Sequence, residues 1–287
     1  MEIKKVGVIG AGTMGAGVTV DLVLHGIYTV LVDISPQVLE KAKEEITRSV
    51  RFAPLVHKSA PKVPVKEAIE KITFTTDLNL VADCDFIVEN VTENWDIKKP
   101  VYKELDKICK PEALFGVDTS CISITKVAGL TTRPDKVIGM HFMNPVYAKP
   151  VIEVMRGYHT SDATVQQAED FLAQLDKKAI VVNDYPGFVT NRISHLFMNE
   201  AMWVVQDGVA TPEQVDNIFK KCFGHTMGPL ETADLIGLDT VMDSLAILYD
   251  SYQDPKFRCC PLLKKKVEAG ILGRKSGKGF HDYSKKG

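Results

Sequence analysis

Apolar and polar positions divide the chain into two parts with different periods. Over the first half, short apolar runs without polar alternation recur between segments of helical spacing, as expected of strands covered on both faces. The first is Val6-Gly7-Val8-Ile9, and a second, Thr29 to Val32, ends at Asp33. Further strands are predicted at Lys71 to Thr75, Phe86 to Glu89, Leu114 to Val117 and Val137 to His141, and Val151 to Met155 is strand-like. Helices are predicted from the first glycine loop to about His25, stopped by Gly26, and from Gln37 to about Val50, entered through Ser35-Pro36. There serine can cap the open amides and proline suits the first turn.

After Asp184-Tyr185-Pro186-Gly187-Phe188 the strand signals largely disappear. Helices are expected from Phe188 to about Gln206, from Thr211-Pro212 to before Gly224, and from Leu235 to Tyr252. The fold class is therefore α/β: a Rossmann-type doubly wound parallel sheet over residues 1–184, then a smaller all-α domain over 185–287. The second domain should contribute to substrate closure and to pairing with a second copy, so a homodimer is expected.

The first apolar run feeds directly into Gly10-Ala11-Gly12-Thr13-Met14-Gly15. In that context Gly10 permits the tight turn and Gly12 lets the backbone approach a pyrophosphate. Gly15 allows the helix to pack closely on the strand, with the amides of its first turn, from Thr13 and Met14 onward, aimed at the anion. Asp33 stands 18 residues beyond Gly15, at the end of the second strand. A carboxylate there can accept both adenosine ribose hydroxyls and would repel a 2′-phosphate, which favours NAD over NADP.

Ligands of such sheets lie beyond the carboxyl ends of the strands, which directs attention to three segments. They are Glu89 to Asn94 with Lys98 following, Asp118-Thr119-Ser120-Cys121, and His141-Phe142-Met143-Asn144-Pro145. His141 can exchange a proton near neutral pH, which oxidation of a hydroxyl requires, although a lone histidine is also a common core residue. Glu153, twelve residues later, interrupts an apolar run and must find a partner. A short return loop would bring it to His141, where it would hold one tautomer and raise the basicity of the ring. The alternative is a structural ion pair with Arg156. Ser120 and Asn191 can each donate a hydrogen bond to a carbonyl or alkoxide; the structural alternatives are a strand-end turn and a helix cap.

Composition narrows the remaining classes. A net charge of −2 with 45% hydrophobic and 25% charged residues offers no global basic field for nucleic acid. The N-terminal run reaches its glycine loop too soon for a signal or membrane segment, so no membrane partner and a cytoplasmic location are expected. The six cysteines, at 84, 109, 121, 222, 259 and 260, show no zinc or disulfide spacing, and no metal is expected. Around prolines, Arg48, Arg51, His57, Lys58, Lys62 and Lys66 suit an exposed basic arm able to meet phosphates or an acidic carrier, or simply a solvated helix end and loop.

Taken together, these motifs resemble the 3-hydroxyacyl-CoA dehydrogenases, the short 3-hydroxybutyryl-CoA dehydrogenases in particular, over essentially the whole chain. The resemblance rests on VGVIGAGTMG, E-N-x-x-E-N followed by a lysine, D-T-S, H-F-x-N-P with its later glutamate, D-x-P-G-F-x-x-N-R and M-G-P-x-E-x-x-D-x-x-G-L-D. It implies that His141 is the general base and Glu153 its partner, that Ser120 and Asn191 bond the reacting substrate, and that Asn144 shapes the pocket. It also implies that Glu93 and Lys98 contact NAD, and that the substrate is an acyl thioester of CoA or of an acyl-carrier protein.

Two departures bear on the acyl group: Asp118 where the family has asparagine, and Tyr147-Ala148-Lys149 in the pocket loop. They suggest an acyl group smaller or more polar than butyryl. One alternative is a hydroxyacyl group, such as glyceryl, carried on a protein in polyketide extender-unit synthesis. A dehydrogenase of the hydroxyisobutyrate and 6-phosphogluconate type would need a catalytic lysine where Asn191-Arg192 stands. A non-catalytic NAD-binding protein would have no reason to keep both His141 and Glu153.

Overall fold

The computed structural model describes residues 2–57 and 60–284, so Lys58 of the basic arm lies outside the described residues. The chain divides into two units, Met1–Tyr185 and Pro186–Gly287.

In the first unit eight strands form one sheet: β1 (Lys5–Ile9), β2 (Tyr28–Val32), β3 (Ile72–Thr75), β4 (Phe86–Glu89), β5 (Leu114–Val117), β6 (Val137–His141), β7 (Val151–Arg156) and β8 (Lys178–Asn183). Their spatial order is β3-β2-β1-β4-β5-β6-β7-β8. The first six run parallel, and β4, β5 and β6 are buried at every position, which is why they read as unbroken apolar runs. The expected doubly wound parallel sheet is thus present, with two further strands at its far edge. β7 pairs antiparallel with β6, and β8, which the sequence reading did not separate from its surroundings, pairs parallel with β7.

The sheet is dressed by α1 (Thr13–Leu24), α2 (Pro36–Val56), α3 (Val65–Glu70), α4 (Trp95–Ile108), α5 (Ile124–Ala128) and α6 (Asp162–Gln174). Val8, Leu31, Val88 and Ile138 join α1, α2 and α6 in one core, where Phe86 stacks on Phe171 at 4.7 Å between centroids. Ser35 caps α2 as expected by accepting from the Val38 amide. That helix continues past the predicted end at Val50, because buried Val50 and Ala53 keep its last turns on the core despite Pro54. Arg48 and Arg51 therefore stand on a helix, and Arg48 pairs with Glu45.

The second unit holds α7 (Thr190–Gln206), α8 (Pro212–Cys222), α9 (Pro229–Ile236), α10 (Leu238–Tyr252) and α11 (Pro261–Glu268). Its core gathers Met198, Met202, Leu230, Leu238, Val241, Leu245 and Leu263. Thr211 opens α8 with a reciprocal capping box to Gln214. The single helix expected from Leu235 to Tyr252 is corrected to the end of α9 and all of α10. Gly237, at φ +106°, breaks the run in a conformation closed to other residues. Asp216 and Asp234 staple this unit: Asp216 accepts from the Leu230 and Glu231 amides, and Asp234 from those of Phe280 and His281.

Candidate active site

At the C-terminal ends of β1, β2 and β4, where the strand order reverses, lies a cavity of about 500 Å³ bordered by Gly10, Gly12, Asp33, Asn90, Val91 and Thr92. Gly10 turns the chain at φ +95°, and a methyl group on Gly15 would lie 1.8 Å from the Gly10 carbonyl oxygen, so close strand–helix packing requires both glycines. At Gly12 the same methyl would meet nothing within 4 Å, which leaves the backbone open to a ligand. No side chain caps α1, so the first-turn amides that begin with Thr13 and Met14 are not satisfied by a cap. Met14 packs its side chain against the core. Asp33 is fixed at the rim, its two carboxylate oxygens accepting from the Ala11 amide at 2.9 Å and the Ser35 amide at 3.0 Å. An open glycine, an uncapped helix start and an oriented carboxylate fit the pyrophosphate and adenosine ribose of NAD.

Beyond this cavity, Lys98 and Glu89 form a buried ion pair. The Lys98 ammonium, fully buried, donates to both Glu89 oxygens at 2.9 and 3.0 Å and to the Asp118 carbonyl at 3.2 Å, with the Val91 carbonyl at 3.5 Å. Burial pushes the Glu89 carboxyl above the ordinary range, and the Lys98 charge opposes that rise. Glu93, 3.7 Å from Lys98, gathers the loop after β5: its Oε1 accepts from the Thr119 hydroxyl and from the amides of Ser120, Cys121 and Ile122. Both residues that the resemblance places at the cofactor thus tie together the loops after β4 and β5.

The expected base and its expected partner are neighbours across two strands. Antiparallel pairing of β6 with β7 sets His141 directly opposite Glu153, and His141 Nδ1 lies 3.2 Å from Glu153 Oε2 with both side chains buried. In the tautomer that donates from Nδ1 to Glu153, Nε2 is the accepting nitrogen, and the Ser120 hydroxyl stands 3.5 Å from it. The ion pair with Arg156 that could have explained Glu153 is not made; Arg156 pairs instead with Asp162 at 2.6 Å.

Asp118 ends β5, and its Oδ1 accepts from the Phe142 amide at 3.2 Å, immediately after His141. Burial raises its carboxyl to about 7, against the lowering pull of His141, the Phe142 amide and Lys98. Asn144 and Tyr147 line a second cavity of about 360 Å³ beside Thr13 and Gly17. Asn191, in the second unit, is buried on α7, and its carbonyl lies 3.0 Å from His195 Nδ1.

Sequence reasoning missed Lys177. Its buried ammonium donates to the Val146 and Lys149 carbonyls at 2.9 Å each and pairs with Asp21 at 3.1 Å, which pins the loop between β6 and β7. The available signal was Asp21, an acid within an otherwise apolar helix that needed a cation.

This geometry coincides with a known family. The NAD-binding domain of 3-hydroxyacyl-CoA dehydrogenase matches residues 5–185, and the C-terminal domain of the same enzymes matches 187–283. The chain belongs to the 3-hydroxyacyl-CoA dehydrogenase family. A probable 3-hydroxybutyryl-CoA dehydrogenase of Bacillus subtilis (strain 168) is 40% identical, with 100% of this chain and 99% of the relative covered. One of Deinococcus radiodurans is 44% identical over 97% of this chain and 100% of its own length. The solved structure of (S)-3-hydroxybutyryl-CoA dehydrogenase from Ralstonia eutropha superposes with a TM-score of 0.92 at 39% identity, covering 99% of this chain and 100% of that one. As a family member the chain is an NAD-dependent 3-hydroxyacyl-CoA dehydrogenase, an oxidoreductase. Among the described residues no helix is long and apolar enough to cross a membrane.

Proposed function

We propose that the substrate pair is 3-hydroxybutyryl-CoA and acetoacetyl-CoA, interconverted with His141 as the proton-exchanging group. The observation that carries this reading is the His141–Glu153 pair at 3.2 Å, with the Ser120 hydroxyl toward the other ring nitrogen. The cradle of Gly10, Gly12 and Asp33 would hold NAD, which would supply the hydride acceptor for C3 of the hydroxyacyl group and, as NADH, the hydride donor for the reverse reaction. His141 Nε2 takes the hydroxyl proton, and Glu153 keeps the ring in the accepting tautomer and stabilises the imidazolium. Ser120 and Asn191 supply hydrogen bonds to the reacting oxygen, and Asn144 and Tyr147 bound the acyl group. Asp33 selects NAD by holding the ribose hydroxyls, and Gly10, Gly12, Thr13, Met14 and Gly15 form the pyrophosphate cradle, with Glu93, Lys98 and Asp118 fixing the wall behind the nicotinamide.

The names of the relatives support a four-carbon acyl group, and the family supports CoA as its carrier. The chain works as a homodimer in the cytoplasm in this reading. Exposed Ile193, Ile218, Phe223 and Leu235 on the second unit offer apolar area to a second copy.

The test is NADH oxidation by the purified protein with acetoacetyl-CoA, and in parallel with acyl groups on a carrier protein, using His141→Gln as control. Rapid turnover of the CoA thioester that His141→Gln abolishes is the expected result. Turnover that survives in the variant refutes the role of the histidine, and turnover of the carrier-bound substrate alone refutes the CoA assignment.

A further inference from the structure

Glu153 is not the only carboxyl arranged around His141. Asp118 stands at the end of the neighbouring strand β5, and its Oδ1 accepts from the backbone amide of Phe142, one residue past the histidine. The position is held from several sides. The Asp118 amide donates to the Glu89 carbonyl at 3.0 Å, its own carbonyl accepts from Lys98, and Glu93 clamps Thr119, Ser120, Cys121 and Ile122, which follow it. A carboxylate held there has a fixed direction rather than the choice of orientations a solvated side chain enjoys.

We propose that Asp118 is a positioning residue of the proton step. Its carboxylate, anchored on the amide next to His141, favours the imidazolium form of that histidine and so sets how hydroxyl oxidation and ketone reduction divide with pH. The inference rests on His141 being the proton-exchanging group, and it adds a second carboxyl to that site.

The charges that face Asp118 come from four directions. His141 on β6 and Lys98 on α4 favour its ionised form, and Glu89 on β4 opposes it. Tyr102 on α4 and Glu93 after β4 share the same buried field, in which Tyr102 is held well above the usual phenol range and so stays neutral. Burial outweighs the attractions, and the carboxyl takes up its proton at about 7. Asp118 therefore gains or loses its charge near neutral pH, beside the group that exchanges the substrate's proton.

The proton balance is simple. In oxidation the substrate hydroxyl gives its proton to His141 Nε2 as hydride leaves C3. The imidazolium so formed is stabilised by ionised Asp118 as well as by Glu153. In reduction the same imidazolium returns the proton to the alkoxide, so a charge that favours it helps reduction at alkaline pH and slows oxidation at acid pH.

The experiment measures kcat/KM against pH in both directions for the native enzyme, Asp118→Asn and His141→Gln. Asparagine keeps the shape and the oxygen that accepts from Phe142 but carries no charge. The variant's limbs should move toward lower pH by up to roughly one unit, so that reduction at pH 8.5 falls by up to about tenfold while oxidation there changes little. Profiles of Asp118→Asn that overlay the native ones, or that drop equally at every pH, overturn the inference. Activity surviving in His141→Gln refutes the underlying reading instead, which separates the two failures.

Discussion

Lys98→Met tests how much of the site depends on one buried ion pair. Methionine fills nearly the same volume but removes the charge that compensates Glu89, whose side chain is as inaccessible as that of Lys98, at 0% exposure for both. Breaking such a pair by deleting one partner costs about 3–5 kcal/mol, because the remaining charge stays buried without compensation. For a unit of this size each kcal/mol lowers the melting temperature by roughly 2–4 °C, so a fall on the order of 10 °C is expected.

The deficit depends on pH with a definite sign. Glu89 is already raised by burial, and losing Lys98 removes the interaction that held it down. The folded variant then binds a proton that the unfolded chain, with its ordinary carboxylate near about 4.3, does not hold at neutral pH. Stability of the variant therefore improves relative to native as pH falls through the raised value and is worst on the alkaline side. Differential scanning calorimetry at pH 8 and pH 6 reads both effects, and Glu89→Gln combined with Lys98→Met should recover at least half of the loss. A single variant that melts within about 2 °C of native at pH 8, or a double variant no better than the single one, would refute the account of this pair.

Other outcomes follow from the same geometry. Glu153→Gln keeps the side-chain shape but weakens support for the imidazolium; kcat should fall roughly 10²–10⁴-fold with cofactor affinity unchanged, as steady-state kinetics and NADH fluorescence titration would read. Gly12→Val should fold with a near-native melting point, since the space above Gly12 is open, yet lose NAD binding in calorimetric titration. Gly15→Ala should do the reverse in order of severity, destabilising the fold first, because its methyl group would meet the Gly10 carbonyl oxygen at 1.8 Å. Asp33→Asn should weaken NAD by about tenfold and narrow the preference over NADP, which binding measurements with both cofactors would show.

The parts of the fold legible in the sequence are those where one local signal had one physical meaning. Fully buried strands left unbroken apolar runs, and Gly10 and Gly15 announced their turn and close packing because no other residue fits there. Glu153 announced a partner because a carboxylate in an apolar strand needs one. The same reasoning applied to Glu89, at the end of a strand buried throughout, would have found Lys98 on the helix that follows. The resemblance places that lysine at the cofactor, and spacing alone does not reveal which way its side chain leaves the helix. Strand β8 was missed because it lies at the sheet edge and mixes exposed with half-buried positions, without the burial contrast that marks β4 to β6. The break at Gly237 was invisible to periodicity, since the apolar positions on either side continue in step.

His141 and Glu153 are joined by the ladder of a sheet rather than by the chain that connects them. Only the pairing of β6 with β7 has to persist for the imidazole to meet its carboxylate, and the nine residues from Phe142 to Pro150 are relieved of that duty. With Lys177 holding this loop by two backbone carbonyls, its side chains can be exchanged with little effect on the anchor. If the proposed roles hold, substrate range and chemical competence are separable traits: a library that randomises Tyr147 and Ala148 is expected to sample new acyl groups while each member keeps the His141–Glu153 pair.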